Sequence, residues 1–234
     1  MAANGVKPLG QGRVIAITAD VSDAASVERA ADSIEREFGK IHVVCNNAGV
    51  VLRGAQMEAI DDKTWDWLLG VNLYGVIHGI RSFVPRMRSH GEPGHIINTA
   101  SMAGLHVGNR QTGAYAASKH AVVALSEALA EDLAQTNIGV SVLTPAAVAT
   151  EIYTSSATHR GDLGGPNLYP DTPPEIAAGL HPDQIGRRVL DGIRANQFYL
   201  ITHPETREWI ETRHAKLLAA YDFADQWKKD HPDD

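Results

Sequence analysis

Tyr115 and Lys119 stand four residues apart in Tyr115-Ala116-Ala117-Ser118-Lys119, and Ser101 lies fourteen residues before Tyr115, just after the run His95-Ile96-Ile97-Asn98-Thr99-Ala100. In a helix that spacing puts both side chains on one face, where an ammonium lies within a few ångströms of a phenolic oxygen and favours its ionised form. A free phenol titrates near pH ~10, and each unit of downward shift takes about 1.4 kcal/mol of preferential stabilisation of the phenolate. A hydroxyl poised in this way passes a proton to or from a substrate alcohol. Tyrosine and lysine at helical spacing are more often an ordinary solvated pair, so the reading depends on the rest of the pattern.

The elements that would position these residues alternate. Short β-branched runs are read as strands at Arg13 to Ala19, His42 to Cys45, His95 to Thr99, Gly139 to Leu143 and Phe198 to Ile201. Between them fall segments of helical period, the signature of a parallel sheet covered by helices on both faces. Ser22 is read as an N-cap opening a helix to Phe38, with Gly39 ending it. An amphipathic region runs from Asp61 to Ser89 and stops at His90-Gly91. Gly113 to Thr136 makes the helix carrying Tyr115 and Lys119, and Asp183 to Ala195 another.

From Glu151 to Pro182 the pattern breaks down around Gly161, Gly164, Gly165, Pro166, Pro170, Pro173 and Pro174. It follows the carboxyl end of a strand, where open α/β sheets bind ligands, so residues 151–182 are read as a lid. Its Ile152, Tyr153, Leu163, Leu168 and Tyr169 suit a medium-sized apolar alcohol or ketone. Residues 204–234 read as a helix with Trp209, Leu217, Leu218, Tyr221 and Phe223 spaced for docking, then a frayed acidic tail from Asp230.

The chain has 234 residues, 44% hydrophobic and 21% charged, which fits a single globular domain over 1–234. A net charge of −7 with scattered basic residues argues against nucleic acid as a partner. No segment reaches eighteen apolar residues without a charge, and the residues from Met1 to Pro8 lack the apolar core of a secretory signal. The expectation is a cytoplasmic protein outside the membrane. The single cysteine, Cys45, excludes an internal disulfide and is expected to be buried in its strand. Eleven histidines invite a metal site, but His42, His78, His90, His95, His106 and His120 show no ligand spacing, and none is expected.

Asn46-Asn47-Ala48-Gly49, Asn72, Ser101, the Tyr115 to Lys119 motif and Pro145-Ala146-Ala147-Val148-Ala149-Thr150 occur in that order, and together they resemble the short-chain dehydrogenase/reductases. The resemblance covers Asp20 to Thr150. It implies a Rossmann-like, doubly wound parallel α/β fold, NAD or NADP as cofactor, reversible oxidation of an alcohol, and a homodimer or homotetramer built on the two long helices. It makes Tyr115 the general acid/base and gives Ser101 the substrate oxygen. Lys119 would lower the phenol's pKa and hold the nicotinamide ribose, and Asn72 would anchor a relay water by disturbing its helix. Asp20 and Val21 would meet the adenine, and Asn47, Ala48 and Gly49 would let backbone approach the adenosine ribose. Pro145, Ala146, Val148 and Thr150 would flank the nicotinamide. Ala146 stands where the family usually has glycine.

The family also opens with a strand, a glycine-rich turn and a helix whose N-terminal amides hold the pyrophosphate. Gly5, Gly10 and Gly12 follow no hydrophobic strand and open no helix. The resemblance therefore implies an N-terminally truncated domain without its first strand, first helix and second strand. Three explanations stay open: a start assigned too late, which is the one expected here, a fragment, or a genuinely shortened protein. The rival function is a non-catalytic subunit or binding module. The interval from Ser101 to Tyr115 is one residue longer than the family pattern, an excess expected to fall within residues 106–111.

Overall fold

Strand β1 (Val43–Asn46), β2 (Gly94–Thr99), β3 (Ile138–Thr144) and β4 (Tyr199–Ile201) form one parallel sheet in the order β1-β2-β3-β4. The computed structural model describes residues 12–108, 111–160 and 171–232. Val44, Ile96 and Val140 face helices α3 (Gly75–His90) and α4 (Gly113–Leu133), where Met87, Leu129 and Leu133 complete a core. Ile97, Leu143 and Leu200 face the opposite way, against Ile185 of α7 (Pro182–Arg194). Burial on both faces is why the central strands read as continuous apolar runs rather than alternating ones. The doubly wound α/β class expected from the sequence is what forms.

Helix α1 (Ala24–Phe38) begins one residue later than the sequence suggests, because Asp23, not Ser22, is the cap: its carboxylate accepts from the Ala25 amide at 2.9 Å. Gly39 ends it at φ +78°, a conformation that costs a glycine little. Arg86 fastens α3 to α1 through Glu28 at 2.7 Å, Glu35 at 3.2 Å and Asp32. The region from Asp61 is three pieces. These are α2 (Asp62–Leu69), capped by Asp61 on the Thr64 amide at 2.8 Å, a π-helical turn (Gly70–Tyr74), and α3, which ends at Gly91 with φ +67°.

Five expectations are corrected. Residues Arg13 to Ala19 form no strand, and Val14 and Ile17 stay exposed, because nothing among the described residues pairs with them or with the outer edge of β1. A cleft of about 620 Å³ separates that segment from β1, lined by Ile15, Val27, Ile34, Val43, Val44 and Val76. Cys45, expected to be buried, is exposed: it stands on the edge strand, whose outer side pairs with no other strand among the described residues. Within residues 151–182, expected to be an irregular lid, Ile152–His159 (α5) and Pro174–Ala177 (α6) are helical. Leu163, Leu168, Tyr169 and residues 109 and 110 of the expected one-residue excess lie outside the described residues. The last helix, α8 (Arg207–Asp230), does not dock along its length: Leu217, Leu218, Tyr221 and Phe223 are exposed, while Trp209 stacks on His106 at 5.8 Å. The helix also keeps Asp230, expected in the frayed tail.

Candidate active site

The site lies at the carboxyl ends of β1, β2 and β3. Chain leaving β2 delivers Ser101, which opens a short 3-10 turn (Met102–Gly104) by accepting from the Ala103 amide at 3.1 Å. Helix α4 crosses this turn closely enough that a Cβ on Gly104 would sit 2.6 Å from the Lys119 carbonyl oxygen. Glycine at 104 thus sets how near α4 comes to Ser101. Tyr115 lies in the first turns of α4, and its hydroxyl is close enough to that of Ser101 for the serine to favour the phenolate. Ser101 also donates to the Pro145 carbonyl at 3.4 Å, tying it to the chain leaving β3.

Lys119 does share the face of Tyr115, with Nζ 5.8 Å from the ring centroid. Its ammonium, only 3% exposed, donates to the Thr99 carbonyl at 3.0 Å. Burial pushes its pKa down to about 8. The expected acidification of the phenol by Lys119 is not what the resting site shows. Burial raises Tyr115 to about 12, the Ser101 hydroxyl opposes this, and nearby Tyr153 adds to it. The physical reason is that desolvation penalises the phenolate while the ammonium is turned to a backbone carbonyl.

Asn72 sits inside the π-helical turn, so the expected helix disturbance is present. Its buried side chain also does something the sequence did not reveal. Oδ1 accepts from the Val50 amide at 2.8 Å, while Nδ2 donates to the Val50 carbonyl at 2.9 Å and the Ser118 hydroxyl at 3.0 Å. One side chain thereby pins the chain after β1 to α4. Ser118, buried beside Lys119, is the partner that sequence reasoning missed.

The remaining expected residues surround this centre. A Cβ on Gly49 would lie 3.4 Å from both Asn72 Oδ1 and Lys119 Nζ, so glycine keeps that approach open. Asn47 accepts from the Thr99 hydroxyl at 3.1 Å, while the deeper tie between strands is made by Asn46, which donates to Asn98 at 2.8 Å. Ala48 is exposed beside them. Asp20 is exposed and already engaged by the Ser22 amide and hydroxyl, at 2.9 and 2.7 Å. Val21 packs on Gly75, just past the π-helical turn. Pro145, Ala146, Val148 and Thr150 follow β3, where Val148 bridges to Leu180. His203, buried after β4, holds Ala146 and Ala147, and nothing in its spacing pointed to it.

His42, His90 and Glu92 converge at the other end of the sheet, within 4.8 Å of one another. Both His90 nitrogens are used, one on the Ile41 carbonyl and one on the Glu92 amide, and Lys40 already pairs with Glu92. That leaves no free imidazole lone pair on His90, so the cluster is a poor metal site.

The family model for short chain dehydrogenase matches residues 2–161. A Sphingobium C alpha-dehydrogenase is 35% identical over 209 residues, covering 86% of this chain and 68% of the relative. A Streptomyces exfoliatus 1-deoxy-11-beta-hydroxypentalenate dehydrogenase is 36% identical, covering 83% and 66%. The crystal structure of a Burkholderia phymatum short chain dehydrogenase/reductase in complex with NAD superposes with TM-score 0.80 at 35% identity, covering 88% of this chain and 76% of that one. No helix among the described residues is long and apolar enough to cross a membrane. Parallel sheet, site order and sequence likeness agree: the chain belongs to the short-chain dehydrogenase/reductases, a family of oxidoreductases.

Proposed function

We propose that the protein interconverts a secondary alcohol and a ketone with NAD or NADP, using Tyr115 as general acid/base. The hydroxyl pair of Ser101 and Tyr115 carries this reading, since it offers two hydrogen-bonding oxygens to one substrate oxygen. The nicotinamide end of the cofactor suits the residues present: Lys119 offers a buried ammonium, Gly49 an approach with no side chain in the way, and residues 145–150 a backbone wall. For the pyrophosphate, no glycine-rich turn opening a helix follows a strand among the described residues.

The bound nicotinamide would supply or accept the hydride. Ser101 and Tyr115 would hold the carbonyl oxygen, and the neutral phenol would deliver the proton as the alcohol forms. A tyrosine raised to about 12 is an acid at rest, which matches ketone reduction. In the oxidative direction it would accept the alcohol's proton, with the Lys119 ammonium favouring phenolate once its side chain turns from Thr99. A water on Asn72's turn would carry the proton outward. Tyr153, buried near Tyr115, supports an apolar substrate.

The test is a panel of secondary alcohols and ketones with each nucleotide, read by absorbance at the reduced nicotinamide band. Turnover by the wild type and its loss in Tyr115→Phe are expected; turnover surviving in the variant would remove the tyrosine from the mechanism. The edge of β1, which pairs with no further strand among the described residues, and its cleft favour a second reading, a non-catalytic subunit that completes this sheet with another polypeptide. Absence of nucleotide binding by the folded chain would favour that reading.

A further inference from the structure

His203 touches neither Tyr115 nor Ser101 in any described contact, yet it is built into the wall beside them. Its Nδ1 lies 3.2 Å from the Ala146 amide, which can only donate, and its Nε2 lies 3.0 Å from the Ala147 carbonyl, which can only accept. These partners fix the tautomer as neutral imidazole with its proton on Nε2. The Thr202 hydroxyl adds a contact to Nδ1 at 2.8 Å, and the ring is buried. Thr206 extends the bracket, donating to the His203 carbonyl at 2.6 Å and reaching Met102 Sδ at 3.6 Å. Pro145, the neighbour of Ala146, accepts from the Met102 amide at 2.9 Å and from Ser101. Two rigid attachments therefore hold residues 145–147: β2's exit on one side and β4's exit on the other.

We propose that His203 is a positioning residue that sets the backbone of residues 145–147, and through it the nicotinamide wall and the placement of Ser101. The assignment rests on the oxidoreductase reading for its consequence, but its geometry belongs to the free protein. Residues 145–147 are loop, and Ala147's carbonyl is shared with the Leu180 amide at 3.0 Å, so a loosened wall also loosens the lid. A bracket of this kind acts on ground-state binding as much as on chemistry, because it shapes the surface before anything docks.

The experiment compares wild type, His203→Gln and His203→Leu in two ways. Glutamine offers one acceptor and one donor on an amide and so can keep both bonds; leucine keeps neither. Hydrogen–deuterium exchange of the free protein should show the Ala146 amide exchanging about tenfold faster in His203→Leu and near the wild-type rate in His203→Gln. The Michaelis constant for the nicotinamide nucleotide should rise about tenfold in the leucine variant, with a smaller change in turnover, and should recover in the glutamine variant. Unchanged exchange in His203→Leu, or exchange as fast in a folded His203→Gln as in His203→Leu, would overturn the assignment. Should the leucine variant not fold, the glutamine variant decides alone: near-wild-type exchange and Michaelis constant support the bracket, and faster exchange overturns it. A wild type that binds no nicotinamide nucleotide would instead overturn the oxidoreductase reading, and the exchange comparison would still decide the role of His203.

Discussion

The hydroxyl of Ser101 comes near enough to that of Tyr115 to favour its phenolate, although one residue leaves a strand and the other stands in a helix. What joins them is the close crossing permitted by Gly104. Replacing Tyr115 by phenylalanine deletes the proton donor and leaves the ring in place. Turnover should fall by about 10²–10⁴, while the thermal midpoint moves little, since one neutral hydrogen bond contributes about 0.5–1.5 kcal/mol. Steady-state kinetics beside a melting curve checks both halves.

Lys119 offers a test of opposite sign for stability and activity. Burial holds its pKa near 8 in the folded protein, against an ordinary value of 10.5 for a solvated lysine. A depressed cation binds protons less well when folded, so its contribution to stability is fully present above the unfolded pKa and is lost as pH falls from about 10.5 through about 8. Lys119→Met removes the buried charge, and at pH 7 the variant should be more stable than wild type by an amount of order 1–3 kcal/mol. The gap should close as pH rises toward 10, while activity is absent throughout. Denaturant unfolding of both proteins across that range gives the answer; a gap independent of pH would remove the charge as its cause.

Asn72 predicts a large loss of stability from a small change of shape. Its side chain satisfies both the amide and the carbonyl of Val50. Asn72→Leu fills similar space and leaves both groups buried without partners, at about 1–3 kcal/mol each. The expected loss is about 2–5 kcal/mol by urea unfolding. Ser118→Ala, which removes Asn72's third contact together with the serine's own bond to the Tyr115 carbonyl at 2.7 Å, should cost about 1 kcal/mol.

The parallel sheet was legible because Ile96 and Val142 are buried on one face and Ile97 and Leu143 on the other, so these strands must read as apolar runs. Of the candidate site, the nearness of Tyr115 and Lys119 was legible because helical spacing puts them on one face. Three things were hidden. Residues 13–19 have the composition of a strand, but a strand forms only against a partner, and pairing is not a local property. The direction of Tyr115's shift depended on how deeply its oxygen is desolvated and on where the Lys119 ammonium points, neither of which spacing fixes. His203 acts through backbone atoms of Ala146 and Ala147, and such partners leave no mark on residue identity.

Cys45 tests the corrected edge of the sheet directly. It stands opposite Ile97 in the register, yet Ile97 is buried and Cys45 is exposed. A thiol reagent should therefore label Cys45 in the native protein without denaturant. Partial burial of its sulfur nonetheless raises the thiol's pKa above its usual value, so the thiolate fraction at pH 7 is below that of a free cysteine. Labelling should be slow at pH 7 and accelerate about tenfold per pH unit as the thiolate forms. Cys45→Ser should change stability by less than about 1 kcal/mol, whereas Ile97→Ala should cost about 2–5 kcal/mol. Native Cys45 that resists labelling until the protein is unfolded would show that the outer side of β1 is covered in solution.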